Sequence, residues 1–148
     1  MADLPDHPLQ LAALPYRRVE DGVEVLLVSS RETKRWIVPK GWPMPGRKNH
    51  KAAAIEAWEE AGVRGKVNKK SIGTYESWKR LSGHFVIVTV EVYALEVTAV
   101  LDAWKEKGQR SRMWAPPSAA AKLVDEPGLA AILADLSLAG AHLADDEV

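Results

Sequence analysis

Asn49-His50-Lys51-Ala52-Ala53-Ala54-Ile55-Glu56-Ala57-Trp58-Glu59-Glu60-Ala61-Gly62 is the stretch on which the fold and the chemistry turn. Strong helix formers fill it, Asn49 stands where an N-cap belongs, and Gly62 takes the usual stop position, so the spacing predicts a helix from about 49 to 61. At roughly 100° per residue, Glu56, Glu59 and Glu60 share one arc and Ala54, Trp58 and Ala61 lie opposite. Ala52 and Ala53 fall one turn earlier on the carboxylate side, where methyl-sized groups leave room for a metal ion, water and phosphate. Carboxylates this close repel one another by about a few tenths of a kcal/mol per pair. A divalent cation reverses that sign, although glutamate is also simply a good exposed helix former.

Outward from this helix the chain alternates strands and turns. Residues 9–18 and 23–29 read as a hairpin around Glu20-Asp21-Gly22, and Trp36-Ile37-Val38 as a short third strand. Pro39 to Gly46 reads as an irregular loop. Downstream, Ser71–Lys79 and His84–Val97 look extended, and Phe85-Val86-Ile87-Val88-Thr89-Val90 has the apolar run of a central strand buried on both faces. Arg112-Met113-Trp114-Ala115 reads as a last short strand. Ser118–Val124 and Gly128–Leu138 read as helices parted by Asp125-Glu126-Pro127.

A chain of 148 residues with 47% hydrophobic and 27% charged side chains is expected to form one soluble domain over 1–148, with 1–8 and 144–148 as flexible tails. Without cysteine it has no disulfides or thiolate metal sites, which leaves hard cations held by oxygen. The N-terminus lacks the pattern of a secretory signal and no apolar run reaches membrane-spanning length, so a cytoplasmic location is expected. Twenty basic and twenty acidic side chains cancel, which argues against nucleic-acid or membrane binding driven by net charge. Lys34, Arg35, Lys40, Arg47, Lys48 and Lys51 nevertheless precede Glu56, Glu59 and Glu60, an arrangement suited to a phosphate substrate with a metal. Monomer and homodimer both stay open.

Gly41, its spacer and Glu56-Ala57-Trp58-Glu59-Glu60-Ala61-Gly62-Val63 resemble the Nudix box, a glycine and spacer followed by R-E-U-x-E-E-x-G-U with U aliphatic. Glu24 to Ser30, Arg35-Trp36-Ile37-Val38-Pro39-Lys40-Gly41 and Glu59 to Gly65 look like the diphosphoinositol polyphosphate phosphohydrolase branch of that family, and about residues 9 to 136 fit its pattern. The resemblance implies an α/β/α sandwich with a mixed β-sheet between helices. It also implies an Mg²⁺-dependent hydrolase, with Mn²⁺ a possible substitute, cleaving a phosphoanhydride in a diphosphoinositol polyphosphate, a diadenosine polyphosphate or a related nucleoside diphosphate-linked compound. Glu56, Glu59 and Glu60 match the metal-binding glutamates, with Glu56 also a candidate base; Glu76 or Glu91 is a candidate further ligand. The resemblance places Arg17, Arg18, Ser30, Arg31, Lys34, Arg35, Lys40, Gly41, Arg110 and Arg112 around the phosphates.

Two positions depart from the box: Arg47 stands where a glutamate is expected and Ile55 where an arginine is. They motivate a second reading, a non-catalytic Nudix-fold module that binds a phosphorylated metabolite, and a third is a plain interaction domain. Among the tryptophans at 36, 42, 58, 78, 104 and 114, Trp36 and Trp58 are expected in the core and Trp42 near ligand; His50 and His84 show no ligand spacing.

Overall fold

The computed structural model describes residues 8–139. The expected tail segments 1–7 and 144–148 lie outside the described residues, and Pro8 is buried. Strands β1 (Leu9–Val19), β2 (Gly22–Ser29), β3 (Trp36–Ile37) and β4 (Lys40–Gly41) precede helix α1 (Asn49–Glu56), which runs straight into a π-helical turn, Ala57–Ala61. There follow β5 (Val63–Val67), β6 (Gly73–Leu81), β7 (His84–Val100), β8 (Arg112–Ala115), α2 (Pro117–Leu123) and α3 (Pro127–Ala139). No helix among the described residues is long and apolar enough to cross a membrane.

One mixed eight-stranded sheet results, with the order β3-β2-β1-β7-β5, β4 on β1, β6 on β7 and β8 on β2. The parallel pair β1/β7 runs through its centre, every other pairing between strands is antiparallel, and Trp36 adds an isolated parallel bridge to Val124. Each face buries its own apolar layer. Leu14, Leu27 and Val90 pack against Leu129 and Leu133 of α3 and beneath α2, whereas Leu11, Ala13, Leu26 and Leu95 meet α1 and the π turn. The expected α/β class with helices on both sides of a mixed sheet is therefore what forms.

The helix presents a different face to the sheet from the one expected. Ala52, Ala53, Ala57 and Ala61 are fully buried in the second apolar layer, and Trp58 is 45% exposed. The alanines thus do not clear space for a metal; they let the helix close on the sheet. Ala52 and Ala53 precede the π turn, so their burial means that the side of the helix carrying Glu56 and Glu60 is itself the side that packs on the sheet, and Glu60 is buried with it. The N-cap is Lys48, with no side-chain cap, so Asn49 instead opens the first turn. Gly62 does stop the helix, in the left-handed conformation at φ 67°.

Three strand readings also change. Lys40–Gly41 pairs with Ala12 and Leu11, so the Pro39–Gly46 loop contains a short strand. Val63–Val67 pairs with β7 across a bulge at Arg64/Gly65 although it carries two cations and a glycine, because the partner strand rather than its own propensity holds it. In β7 the run from Phe85 to Val90 alternates in burial, with Phe85 and Ile87 exposed, since that end is covered on one face only.

Ala53→Leu is expected to wedge the helix off the sheet and to lower stability by about 1–3 kcal/mol. Trp58→Ala is expected to stay within about 0.5 kcal/mol of the parent, as an exposed substitution does; urea midpoints at constant m-value check both.

Candidate active site

The alanine face sets the height of the helix above the sheet, and that height brings Glu56 against β4. A Cβ on Gly41 would stand 2.8 Å from Glu56 Oε1 and closer still to Oε2, so only glycine lets the carboxyl lie on the strand. One turn on, Glu60 is 6% exposed, and its Oε1 accepts a hydrogen bond from the Lys40 backbone N–H at 3.3 Å. The Glu56 and Glu60 carboxyls share a hydrogen bond. Burial, and then that shared bond, push Glu60 up to about 8; burial also raises Glu56. Two adjacent carboxyls holding a proton at neutral pH are a place where a cation replaces it. Glu59 lies beside Lys105, 3.7 Å away, on the partly exposed flank.

The segment 101–112 locks the end of the π turn. Arg112 donates to the carbonyls of Ala61 and Leu101 at 2.9 and 2.7 Å and stacks on Trp104, whose indole N–H donates to the Glu60 carbonyl at 3.1 Å. Carbonyls left open at a helix terminus thereby find partners. Arg110 is nearly buried, 2.7 Å from Glu106 and 3.8 Å from Glu60, and also donates to the Ser29 carbonyl. Its charge lowers Glu60, but burial and the bond to Glu56 outweigh it. Arg110 and Arg112 thus hold the acidic residues in place rather than standing free for a ligand.

The remaining expected phosphate contacts divide by position. Lys40 is central: its Nζ donates to Gln10 at 3.1 Å, its ammonium lies in the field of Glu126, Lys79 and Glu60, and burial lowers its pKa. Arg35 reaches toward Asp125 and Glu126 at 3.7 and 3.8 Å. Ser30, Arg31 and Lys34 occupy the β2–β3 turn, where Ser30 bonds to Thr33 while Arg31 and Lys34 meet Gln109. Arg17 and Arg18 lie further off. Ala12 pairs with Lys40, so Arg17 is five residues along β1, roughly 16 Å away. It is tied to Glu24 and stacked on Trp114, and Arg18 is tied to Glu96.

Leu11 stands between Gly41 and Glu91 in register, so Glu91 lies on the helix-facing side about two strand spacings from the Glu56 wall, accepting a hydrogen bond from the Tyr93 hydroxyl. Glu76 instead lines a cleft of about 740 Å³ beyond the unpaired edge of β6, with Arg35, Trp78, Phe85 and Glu126. Gln10 and Glu126, which face Lys40, and Ser77, which donates to Glu126, are buried polar residues that the sequence reading missed. Gln10 and Ser77 carried a signal, as lone polar residues on the inward side of otherwise apolar strands. Glu126 carried none, because a glutamate before Pro127 reads as an ordinary helix start.

No three His, Asp or Glu side chains among the described residues converge on one metal position. The Glu56–Glu60 pair nevertheless fits Mg²⁺, a hard cation that keeps several waters and takes few protein ligands. Neither histidine among the described residues contributes: His50 is buried against Tyr93, and exposed His84 bonds to the Ser82 carbonyl.

A family model described as NUDIX domain matches residues 8–136. Diphosphoinositol polyphosphate phosphohydrolase 2 of Rattus norvegicus is 35% identical over 105 residues, covering 70% of this chain and 55% of that protein. The human 3-beta form is 33% identical over 133 residues, covering 87% and 77%. The chain thus spans little more than half the length of the first of these. In three dimensions it is similar to an Ap4A hydrolase of C. elegans in a binary complex, with TM-score 0.66, 21% identity and coverage of 88% and 96%. A NUDIX hydrolase from Nitrosomonas europaea gives TM-score 0.67 at 17% identity, covering 91% of each chain.

In the metal-free protein Glu60 keeps its proton up to about pH 8 when folded but releases it near 4.5 when unfolded. The folded state then binds more protons between those values, so stability falls as pH rises through the window. Denaturant midpoints in chelator are expected to decline from pH 5 to 8 and to flatten in Glu60→Gln; an equal slope in the variant refutes the assignment.

Proposed function

This chain belongs to the Nudix family, and on that premise we propose that it is an Mg²⁺-dependent hydrolase of a phosphoanhydride bond in a small, densely phosphorylated compound. The candidate substrates are a diphosphoinositol polyphosphate, a diadenosine polyphosphate or another nucleoside diphosphate-linked molecule. What carries the reading is the meeting of the Glu56 and Glu60 carboxyls against Gly41 and the Lys40 N–H.

Glu56 and Glu60 would hold the cation, with Glu59 at the flank and Mn²⁺ as a substitute. Glu91 suits the further ligand better than Glu76, because it stands on β7, one strand nearer to Glu56, whereas Glu76 on β6 lines the cleft further out. The bound ion supplies charge neutralisation at phosphate oxygens and a water of lowered pKa. Glu56, more exposed than Glu60, takes the proton from the attacking water. As the water oxygen bonds to phosphorus, the bridging P–O bond breaks and its electron pair leaves with the departing phosphate. Lys40 and Arg35 offset the charge of the phosphates, and Arg31 and Lys34 extend that positive rim along the β2–β3 turn.

A second reading, a module that binds such a compound without cleaving it, is favoured by Arg47 and Ile55. Arg47 is exposed, with its backbone N–H on Met44, and Ile55 is half-buried. Neither supplies the charged partner that the box would place beside the glutamates.

Incubation with Mg²⁺ and a panel of dinucleoside polyphosphates and inositol pyrophosphates decides between them. Metal-dependent release of phosphorylated products, falling about a hundredfold or more in Glu56→Gln and Glu60→Gln, is the expected outcome. Binding without turnover at any divalent-metal concentration establishes the non-catalytic module instead.

A further inference from the structure

The last carbonyls of a helix have no partner within it. At the end of the π turn each of them takes a bond from the segment 101–112. The Glu59 carbonyl accepts from the Glu106 backbone N–H at 3.2 Å, Glu60 from the Trp104 indole N–H at 3.1 Å, Ala61 from Arg112 at 2.9 Å, and Gly62 from the Leu101 backbone N–H at 2.8 Å. Side chains of the same segment reach the carboxylates. Lys105 Nζ lies 3.7 Å from Glu59, and Glu106 holds Arg110, which lies 3.8 Å from Glu60. Trp104-Lys105-Glu106 therefore grips both acidic residues by backbone and side chain.

The grip matters because the turn stands between two registers. The Gly62 N–H reaches the Ala57 carbonyl, five residues back as in a π-helix, and the Trp58 carbonyl, four back as in an α-helix. Bonds inside the helix do not choose between them. The outside donors do, since an α register is wound more tightly and would carry the Glu59 and Glu60 carbonyls away from Glu106 and Trp104. The two side chains would turn with their backbone relative to Glu56, which ends the α-helical part. Among these donors Arg112 is spread over the carbonyls of Ala61, Gly62 and Leu101. Only the Trp104 side chain addresses the backbone of Glu60. Trp104 is itself fixed: its ring packs on Gly62, where a Cβ would stand 2.7 Å away, and Arg112 stacks 4.0 Å from its centroid.

We propose that Trp104 is a positioning residue for the metal site: its indole N–H, given to the Glu60 carbonyl, keeps Ala57–Ala61 in the π register and so keeps the Glu60 carboxyl beside Glu56 for a divalent cation. That role rests on the metal-binding part of the hydrolase reading. Trp104 acts through the helix backbone and meets neither the cation nor the phosphates.

Trp104→Phe keeps a ring for Arg112 and removes the N–H. Titration of the full chain with Mn²⁺ alone, followed by electron paramagnetic resonance of the free ion, is expected to show an affinity roughly tenfold or more below the parent, the usual cost of losing an outer partner of a metal ligand. Benzothienylalanine at position 104, which has the bicyclic shape without the N–H, gives the same fall and serves where the phenylalanine variant does not fold. Leu136→Ala, in the opposite apolar layer, is the control for stability: it lowers the urea midpoint and leaves Mn²⁺ affinity unchanged. Parent-like Mn²⁺ affinity in Trp104→Phe, or an equal fall in Leu136→Ala, overturns the role of Trp104. Mn²⁺ uptake that depends on the indole N–H, without turnover of any polyphosphate, sinks the hydrolase reading alone. Turnover by the parent with an Mn²⁺ affinity indifferent to Trp104→Phe sinks the positioning role alone.

Discussion

Two carboxyl groups, those of Glu56 and Glu60, are pressed into one largely dry space, and the rest of the structure is arranged to keep them there. Left to themselves they would separate into solvent, since like charges a turn apart repel. The sheet prevents it. Fully buried Ala52, Ala53, Ala57 and Ala61 bring the helix down onto Leu11 and Ala13, and Gly41 lets the Glu56 carboxyl lie on β4. β4 in turn is fixed by pairing with β1, whose other edge joins β7 in the central parallel ladder. A larger side chain anywhere in this stack would move the acids apart, so the small residues set the spacing on which the chemistry depends.

Repulsion in so buried a place must be answered, and the answer is partial. Arg110 approaches Glu60 but is bound more closely by Glu106, and the Lys40 N–H contributes a dipole rather than a full charge. What remains is a shared proton. A site left one positive charge short is stable enough to fold and is still receptive to a hard cation. Had Arg110 paired with Glu60 alone at short range, the pair would be self-sufficient and the attraction for a metal correspondingly weaker.

Much of this could be read from residue order. Gly41 and Gly62 bracket the helix because one must admit a carboxyl and the other must adopt a left-handed turn, requirements tied to single residues and so visible in sequence. The faces of the helix were not visible, because the sheet covers the same side that carries Glu56 and Glu60, and glutamates by residue type read as the open face. Nor was β5 visible, whose Arg, Gly and Lys follow the needs of a partner strand 30 residues or more away. The cleft escaped for a related reason. Phe85 reads as part of a strand buried on both faces until the sheet edge is known, and Glu126 gains its meaning only when α3 brings it to Ser77, with Gly128 packed on Tyr75.

The absence of the expected charged pair at positions 47 and 55 follows the same logic of compensation. A lone arginine at 55 would be half-buried with an exposed Arg47 rather than a carboxylate to meet it, and an uncompensated charge there would strain the helix more than a neutral side chain does. Ile55 removes that charge together with any steering it would give Glu56. The steering passes to the strand: Glu56 is confined by the Gly41 backbone and by its bond to Glu60. The Gly41 backbone contact needs no further side chain to be ordered, and Glu60 is already held by burial and by the Lys40 N–H, whereas a long flexible cation would have to be ordered for the purpose. The box is thus altered at its periphery while the constraint that aims its central carboxylate is kept by other means.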